Sequence, residues 1–429
     1  MVTEVKKIIS ERLGEHYYDI KHKSGLRVFV FPKELSTCYG VFGVKFGAVD
    51  REFTDENGNL VKLPAGTAHF LEHKMFENAD KTNSDERFAA LGGDDNAYTS
   101  YSTTRYLFST TENEEECLRE LVRMVTKPYF TKKTVAKEQG IIAREVVMGE
   151  DNPWYCGSEN MLGGLYQKSY LRDTIAGTLD SIKEIDEKVL YAAYENFYTA
   201  DNMALSVCGK LTPETVIEVL DTELFGWNTK NAAKREVPAE PKEIARKYSE
   251  KRMNVSRPIF FLGIKDSIEG LDAAERALRR AGMSVLINIM FSSSGEFYNQ
   301  MLEEKLISPS FSFGYTMSRD CAYALFSGET DHPEEVAKRI DQKLRETGGS
   351  GISSDDFERC RRVAGASCIR LFDSSEEIAD DVLMNAWFSG TEPFSVLQTV
   401  ESLTVGYVEK LLGEILECGQ TLSVIKPIE

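Results

Sequence analysis

A charged segment with two prolines interrupts the sequence near its middle. It covers residues 229–257, "TKNAAKREVPAEPKEIARKYSEKRMNVSR", and holds few large apolar side chains. Because 429 residues exceed what one ordinary hydrophobic core accommodates, this segment is expected to join two domains. The sequence therefore predicts an N-terminal domain at residues 1–228, a linker at 229–257 and a C-terminal domain at 258–429.

The two halves repeat short patterns. "VFGVKFG" at residues 41–47 is echoed by "FFLGIKD" at 260–266, and "ALSV" at 204–207 is echoed by "TLSV" at 421–424. These echoes favour a duplicated α+β unit, in which helices pack against a mostly antiparallel sheet, over two unrelated domains. A nucleotide-binding fold has no support, because no Gly-rich phosphate loop appears in a parallel βαβ pattern.

Charge and hydropathy exclude several classes of partner. The chain has 51 Lys and Arg against 69 Asp and Glu, a net charge of −18 that repels nucleic acid. No run approaches the roughly 20 apolar residues of a membrane span, and the N-terminus lacks a signal-peptide core. The 8 cysteines are scattered without a CxxC pair, which is typical of reduced thiols. We expect a cytoplasmic protein.

Three local predictions position the polar motifs discussed below. A helix is expected to begin near Thr67, a plausible N-cap, and to carry "AHFLEHKMFE". Residues 96–111, "NAYTSYSTTRYLFSTT", are rich in Tyr and Thr and predict one long strand. A further helix is expected at residues 132–149, opening after Thr131.

The motif H-x-x-E-H lies on the first of these helices. His69 and His73 are four residues apart, so both rings leave one helix face, and Glu72 lies beside them. Neutral imidazoles suit zinc, and a nearby carboxylate can act as the general base. The alternative is a polar face on an amphipathic helix, but the chain has only 5 histidines. The pattern favours a catalytic metal site.

A third ligand is expected from another element. Glu138 and Glu145 lie seven residues apart on the predicted helix at 132–149 and so face the same way. Glu145 as the ligand, supported by Glu138, is chemically sensible. The open alternative is that this acidic face is simply solvated.

These motifs, in this order, resemble the pitrilysin, insulysin and mitochondrial-processing-peptidase superfamily of zinc peptidases, whose signature is H-x-x-E-H. The resemblance covers the first half closely and the second half more loosely, and it is greatest to the short bacterial members. It rests on "GTAHFLEHKMFE", "GGDDNAYTSYSTTRYLF", "EQGIIAREV", "LRDTIAGTLDSIKEI" and "ENFYTADNMALSVCGKLTPE".

The resemblance implies a role for each matching residue. His69, His73 and Glu145 match the ligands of one zinc ion per chain, Glu72 the general base and Glu138 the supporting acid. It also implies that the two duplicated half-domains form half of a clam-like chamber.

The segment "GGDDNAYT" matches the strand edge that holds the substrate backbone, which makes Asn96 and Ala97 candidate substrate contacts. For Asn96 the alternative is an ordinary turn residue entering a strand.

The sequence departs from the family at one motif. Active members carry an Arg and a Tyr seven residues apart in the second half, typically in "LREK-x-G-L-x-Y", whereas Glu303 and Ser310 stand at those positions here. Arg319 and Tyr315 lie nearby, but not at the family spacing. A carboxylate cannot stabilise a developing oxyanion, and the loss of one such donor costs about a hundredfold in rate or more.

The sequence thus predicts a zinc metalloendopeptidase that hydrolyses peptides or unfolded segments. We expect it to be the metal-bearing subunit of a heterodimer whose homologous partner supplies the Arg/Tyr pair, although a homodimer or a chain active alone is also open. The main alternative is a non-catalytic zinc-bound scaffold that binds peptides. A purely structural zinc domain is weaker, because structural sites are usually rich in cysteine.

Overall fold

A computed structural model describes residues 3–224, 226–227 and 230–428. The chain forms two compact units. Unit 1 takes in the residues up to Val146 together with Thr174–Val237 and Ile369–Phe394, and unit 2 takes in Val147–Asp173, Pro238–Cys368 and the residues from Ser395 onward. Each unit thus contains a segment from the other half of the sequence.

The strands, in chain order, are β1 (Glu4–Ser10), β2 (Glu15–Lys21), β3 (Arg27–Pro32), β4 (Cys38–Val44), β5 (Glu52–Thr54), β6 (Leu60–Lys62), β7 (Gly93–Thr99), β8 (Thr104–Thr110), β9 (Met203–Gly209), β10 (Lys234–Arg235), β11 (Tyr248–Met253), β12 (Ile259–Asp266), β13 (Ser312–Met317), β14 (Ala322–Glu329) and β15 (Gln420–Pro427).

The α-helices are α1 (Thr67–Lys74), α2 (Ser84–Leu91), α3 (Glu114–Thr126), α4 (Lys132–Asp151), α5 (Pro153–Leu165), α6 (Glu187–Phe197), α7 (Pro213–Glu223), α8 (Ala273–Phe291), α9 (Glu296–Glu303), α10 (Pro333–Ser350), α11 (Ser354–Arg370), α12 (Asn385–Ser389), α13 (Ser395–Ser402) and α14 (Val405–Leu416). Short 3-10 turns cover Tyr170–Arg172, Ser181–Glu184 and Leu371–Asp373, and a π-helical segment covers Glu377–Met384.

Unit 1 is built on a seven-stranded sheet in the order β1-β2-β3-β9-β4-β8-β7. Strands β3 and β9 are parallel, and the other neighbours are antiparallel. Helices α1 and α3 pack on one face, and the π-helical segment packs on β9, β4 and β3. Alternate residues of β4 enter two different hydrophobic clusters, Phe42 and Val44 in one, Tyr39 and Val41 in the other. Coverage of both faces explains why this strand is apolar throughout.

Unit 2 repeats this arrangement with five strands in the order β11-β15-β12-β14-β13. The pair β11 and β15 is parallel and the remaining pairs are antiparallel, which reproduces the run from β3 to β7 in unit 1. Helix α5 packs on β12 and β15 through two glycines. A Cβ at Gly157 would lie 2.2 Å from the Phe261 ring, and one at Gly164 would lie 2.3 Å from Thr421 Oγ1. Helix and sheet are therefore in close contact.

The predicted fold class is confirmed: the chain is α+β, with duplicated, mostly antiparallel sheets packed by helices. The segment predicted as a linker at residues 229–257 is more structured than expected, because β10 pairs with β5 and β11 pairs with β15. The division into domains at 1–228 and 258–429 stays a prediction about the sequence repeat. The compact units differ from it through the exchanged segments Val147–Asp173 and Ile369–Phe394.

One local prediction is wrong, and in another the helix start near Thr67 is confirmed but its N-cap differs. The strand expected at residues 96–111 is a hairpin of β7 and β8, because Ser100 Oγ accepts hydrogen bonds from the backbone N–H groups of Ser102 and Thr103 and closes a turn. Helix α1 is preceded by Gly66 as its N-cap, and Thr67 is the first helical residue. The φ of Gly66 is +89°, a left-handed conformation that favours glycine.

None of the helices in the described ranges has both the length and the apolar character needed to cross a membrane. The 8 cysteines all lie in those ranges, and none of them forms a disulfide there.

We expect Gly66→Ala to destabilise unit 1 more than Gly58→Ala. Both glycines have positive φ, +89° and +80°, so alanine costs about 1–2 kcal/mol at either position. A Cβ at Gly66 would also lie 2.5 Å from the carbonyl oxygen of Ala176, whereas nothing lies within 4 Å at Gly58. This overpacking adds about 1–3 kcal/mol. Urea unfolding followed by circular dichroism measures the difference, and equal losses would contradict a tight start to α1.

Candidate active site

The two predicted metal-ligating histidines lie together on α1. His69 and His73 are about one helical turn apart, and their ring centroids are 4.7 Å from each other. Between them, Phe70 and Leu71 are fully buried in the hydrophobic core of unit 1. This buried side fixes the rotation of the helix, so the two imidazoles leave it on a common side.

The third predicted ligand, Glu145, reaches the histidines from α4. Its Oε2 lies 3.4 Å from His73 Nε2 and 3.8 Å from His69 Nε2. One donor atom from each of the three residues lies within 4.8 Å of the other two. The structure thus brings His69, His73 and Glu145 together from two helices that are distant in sequence.

These separations fit ligands that share one zinc ion. With bonds of about 2.0–2.1 Å, two ligands of a tetrahedral zinc ion lie about 3.3 Å apart. The measured distances from Glu145 Oε2 to the two imidazoles, 3.4 and 3.8 Å, are close to this value and long for direct hydrogen bonds. Two imidazoles and one glutamate also form a donor set found in catalytic zinc sites, which leave one position open.

Glu138 fixes the protonation of the histidine next to it. Its Oε1 lies 3.2 Å from His73 Nδ1, so His73 donates from Nδ1, while His73 Nε2 lies 3.4 Å from Glu145 Oε2. Burial alone would lower the pKa of His73, but the hydrogen bond to Glu138 and the charges of Glu145 and Glu72 outweigh burial and raise it. Burial, followed by repulsion from His73, lowers the pKa of His69 to about 4. His69 is therefore neutral, as a ligand must be.

Glu72 lies between the two histidines in sequence and is only 8% exposed. Burial raises the pKa of Glu72 above its ordinary value, and a hydrogen bond from Thr99 partly opposes this effect. That bond runs from Thr99 Oγ1 to Glu72 Oε2 over 2.5 Å. A carboxylate with a raised pKa beside a candidate metal site is suited to accepting and returning a proton.

Thr99 is the site residue that sequence reasoning missed. It ends β7 and pairs with Thr104 of β8. The alternation of a strand places Ala97 and Thr99 on one face, which was a usable signal. No pattern in the sequence indicates that this hydroxyl meets Glu72.

The candidate substrate contacts Asn96 and Ala97 lie in the middle of β7, an edge strand of the sheet in unit 1. Asn96 is exposed, and its Oδ1 accepts a hydrogen bond of 2.8 Å from the Ala97 backbone N–H. Within the described part of the chain, β7 pairs only with β8, so its other edge is open to an added strand.

The residues at the expected Arg and Tyr positions belong to unit 2. Glu303 is exposed at the end of α9. Ser310 Oγ accepts a hydrogen bond of 2.9 Å from the Glu329 backbone N–H. The two nearby candidates have local partners, since Tyr315 donates to Asp266 and Arg319 pairs with Asp320.

Two family descriptions match the chain, the insulinase family (peptidase family M16) at residues 62–179 and the peptidase M16 inactive domain at residues 184–363. The uncharacterized zinc protease YmfH of Bacillus subtilis is 34% identical over 99% of this chain and 99% of its own length. The mitochondrial-processing peptidase subunit beta of Homo sapiens is 28% identical over 51% of this chain and 43% of its own length.

Solved structures agree with these matches. A structure described as an M16-like peptidase from Alicyclobacillus acidocaldarius has a TM-score of 0.91 and 27% identity, covering 100% of this chain and 99% of that one. A protease from Helicobacter pylori, at 17% identity and covering 96% of this chain and 100% of its own, shares the fold with a TM-score of 0.80. The chain belongs to peptidase family M16, within the pitrilysin superfamily that its sequence motifs resemble.

Proposed function

We propose that this chain is a zinc-dependent peptidase whose metal is held by His69, His73 and Glu145 and whose general base is Glu72. The observation that carries the proposal is the convergence of the three donor atoms within 4.8 Å of one another, with Glu72 on the helix that bears both histidines. The relative YmfH, which matches over nearly its whole length, is named a zinc protease.

The chain's own residues divide the work of peptide hydrolysis. When bound at these donors, zinc would act as a Lewis acid that polarises a peptide carbonyl and lowers the pKa of a water molecule. Glu72 takes a proton from the attacking water and returns it to the leaving nitrogen. Glu138 accepts a hydrogen bond from His73 Nδ1, so that Nε2 is the nitrogen that would bind the metal.

The open edge of β7 is the proposed binding strand for the substrate. An extended peptide added there would be held by main-chain hydrogen bonds, with Asn96 and Ala97 as the first contacts. Such binding tolerates varied side chains, which suits peptides or unfolded segments as substrates.

We further propose that a homologous partner subunit completes the enzyme. The support is that Glu303, which is negatively charged, and Ser310, which has only a small hydroxyl, stand where an Arg and a Tyr are expected. The mitochondrial relative is named as one subunit of its enzyme. A homodimer and a non-catalytic peptide-binding scaffold are the competing accounts, and the cytoplasmic location expected from the sequence stays a prediction.

Glu72→Gln is expected to reduce cleavage of a quenched mixed-peptide library by about a hundredfold or more, because the amide cannot accept the proton. Zinc content, measured on the same samples, should stay at the wild-type level. Glu86→Gln, an exposed carboxylate on α2, is the matched control and should leave turnover unchanged. Undiminished cleavage by zinc-loaded Glu72→Gln would rule out Glu72 as the base.

Zinc affinity is expected to fall in a defined order among variants of α4. Glu138→Gln should weaken zinc binding about 10- to 100-fold through its effect on His73. Glu145→Gln should weaken zinc binding further, because it removes a ligand, whereas Glu150→Gln on the exposed last turn should not change it. Competition with a chelating dye measures all three. A larger loss for Glu138→Gln than for Glu145→Gln would reverse the assigned roles.

Addition of a family member that carries the Arg/Tyr pair but lacks H-x-x-E-H is expected to raise turnover about a hundredfold, the usual effect of an oxyanion donor. The control is the same partner with its Arg and Tyr replaced by Glu and Ser. Full turnover by the chain alone would show that Glu303 and Ser310 do not disable it, and no gain with the cognate partner would exclude the two-subunit account.

A further inference from the structure

The last residue of β7 faces the candidate active site. Side chains along this strand alternate, so that Asn96 and Tyr98 are exposed on one face while Ala97 and Thr99 are half-buried on the other. Helix α1 packs against β7. The strand whose open edge is proposed to bind substrate therefore ends beside the helix that carries Glu72.

The hydroxyl of Thr99 has one proton, and the geometry assigns it to Glu72. Thr99 Oγ1 lies 2.5 Å from Glu72 Oε2 and 3.4 Å from Thr104 Oγ1. An ionised carboxylate only accepts, so Thr99 is the donor. The proton of Thr104 is directed elsewhere, to the carbonyl oxygen of Phe46 at 2.9 Å. Thr104 can therefore accept from Thr99 only weakly, at the longer distance.

Glu72 depends on Thr99 for its orientation. Among the described residues, Thr99 supplies the side-chain hydrogen bond that Glu72 accepts, and the Thr99 backbone also hydrogen-bonds Glu72. Because Glu72 is only 8% exposed, little water is available to replace a lost partner, and a buried acceptor without a donor is unfavourable. The carboxylate is thus held by the last residue of β7.

The end of β7 is also fixed from its opposite face. The Tyr98 hydroxyl donates to Asp380 Oδ2 at 2.8 Å, and Asp380 forms an ion pair with Arg105 of β8. The Arg105 guanidinium also donates to Asn385 Oδ1 at 2.6 Å. Consecutive residues, Tyr98 and Thr99, therefore secure the strand end on both faces of the sheet. The hydroxyl of Thr99 is presented from a rigid element rather than from a loop.

We propose that Thr99 is the positioning residue for Glu72, and that it links the proposed substrate strand directly to the general base. This inference rests on the proposed peptidase function. Thr99 does not touch the peptide bond. It holds the Glu72 carboxylate in the orientation from which that carboxylate can meet the attacking water.

The first test compares Thr99→Val, which removes the hydroxyl at constant shape, with Thr99→Ser, which keeps it. Thr99→Val is expected to lower kcat about 10- to 100-fold, the range for a misplaced catalytic group, with KM and zinc content nearly unchanged. Thr99→Ser should restore most of the lost kcat. Thr110→Val is the matched control, because its buried hydroxyl donates to the Glu112 carbonyl oxygen at the far end of β8.

A loss in kcat no greater than that of Thr110→Val, or no recovery in Thr99→Ser, would overturn the role of Thr99. A rise in KM without a change in kcat would also overturn it, since Thr99 would then serve substrate binding.

The second test does not depend on activity. Crystal structures of the zinc-loaded wild-type protein and of Thr99→Val should show the Glu72 carboxylate rotated away in the variant, with His69 and His73 unmoved. An unchanged carboxylate would overturn the inference even if kcat fell. If the wild-type protein cleaves no peptide with any partner, the proposed function fails, while this structural comparison still decides whether Thr99 positions Glu72.

Discussion

One side of α1 is buried, and the placement of the candidate catalytic groups on this helix follows from that burial. Phe70 and Leu71 are inaccessible to solvent, so the helix cannot rotate without exposing them. Its entry is equally constrained by Gly66, where a Cβ would meet the backbone of Ala176. With position and rotation set, His69 and His73 can only face α4, and Glu72 can only face the end of β7.

The two sheets share one strand arrangement but carry different polar groups. Both run through a parallel pair followed by three antiparallel pairs. In unit 1 the π-helical segment covers one face of this sheet, and in unit 2 helix α5 covers one face of the other. Unit 2 places an ion pair of Asp266 and Arg279 at the end of its central strand β12, with Tyr315 donating to Asp266. These three side chains pair with one another, and no histidine is among them.

Local patterns in the sequence predicted those parts of the site that depend on helical spacing. The pairs His69 and His73, and Glu138 and Glu145, followed from helical periodicity alone. Their approach across two helices rested on the expectation of a third metal ligand and on the family resemblance, since no periodicity specifies which helices meet. Thr99 was not predicted, because its proposed role at Glu72 depends on a hairpin turn at Ser100. The Tyr- and Thr-rich composition indicated one continuous strand instead. The exchanged segments Val147–Asp173 and Ile369–Phe394 were also not predicted, since an apolar helix face does not specify which sheet it covers.

Electrostatics connect the candidate ligands, the candidate supporting acid and the proposed base. Three carboxylates, Glu72, Glu138 and Glu145, surround two imidazoles, and Glu72 and Glu138 are each only 8% exposed. Concentrated negative charge with little solvent is unfavourable. Burial raises the pKa of Glu72, and at His73 the hydrogen bond to Glu138 and the neighbouring carboxylate charges outweigh burial and raise the pKa. A dication held by the three candidate ligands would compensate this negative charge, and its binding would be coupled to the release of protons. The buried carboxylates therefore support the proposal that these donors hold a divalent cation.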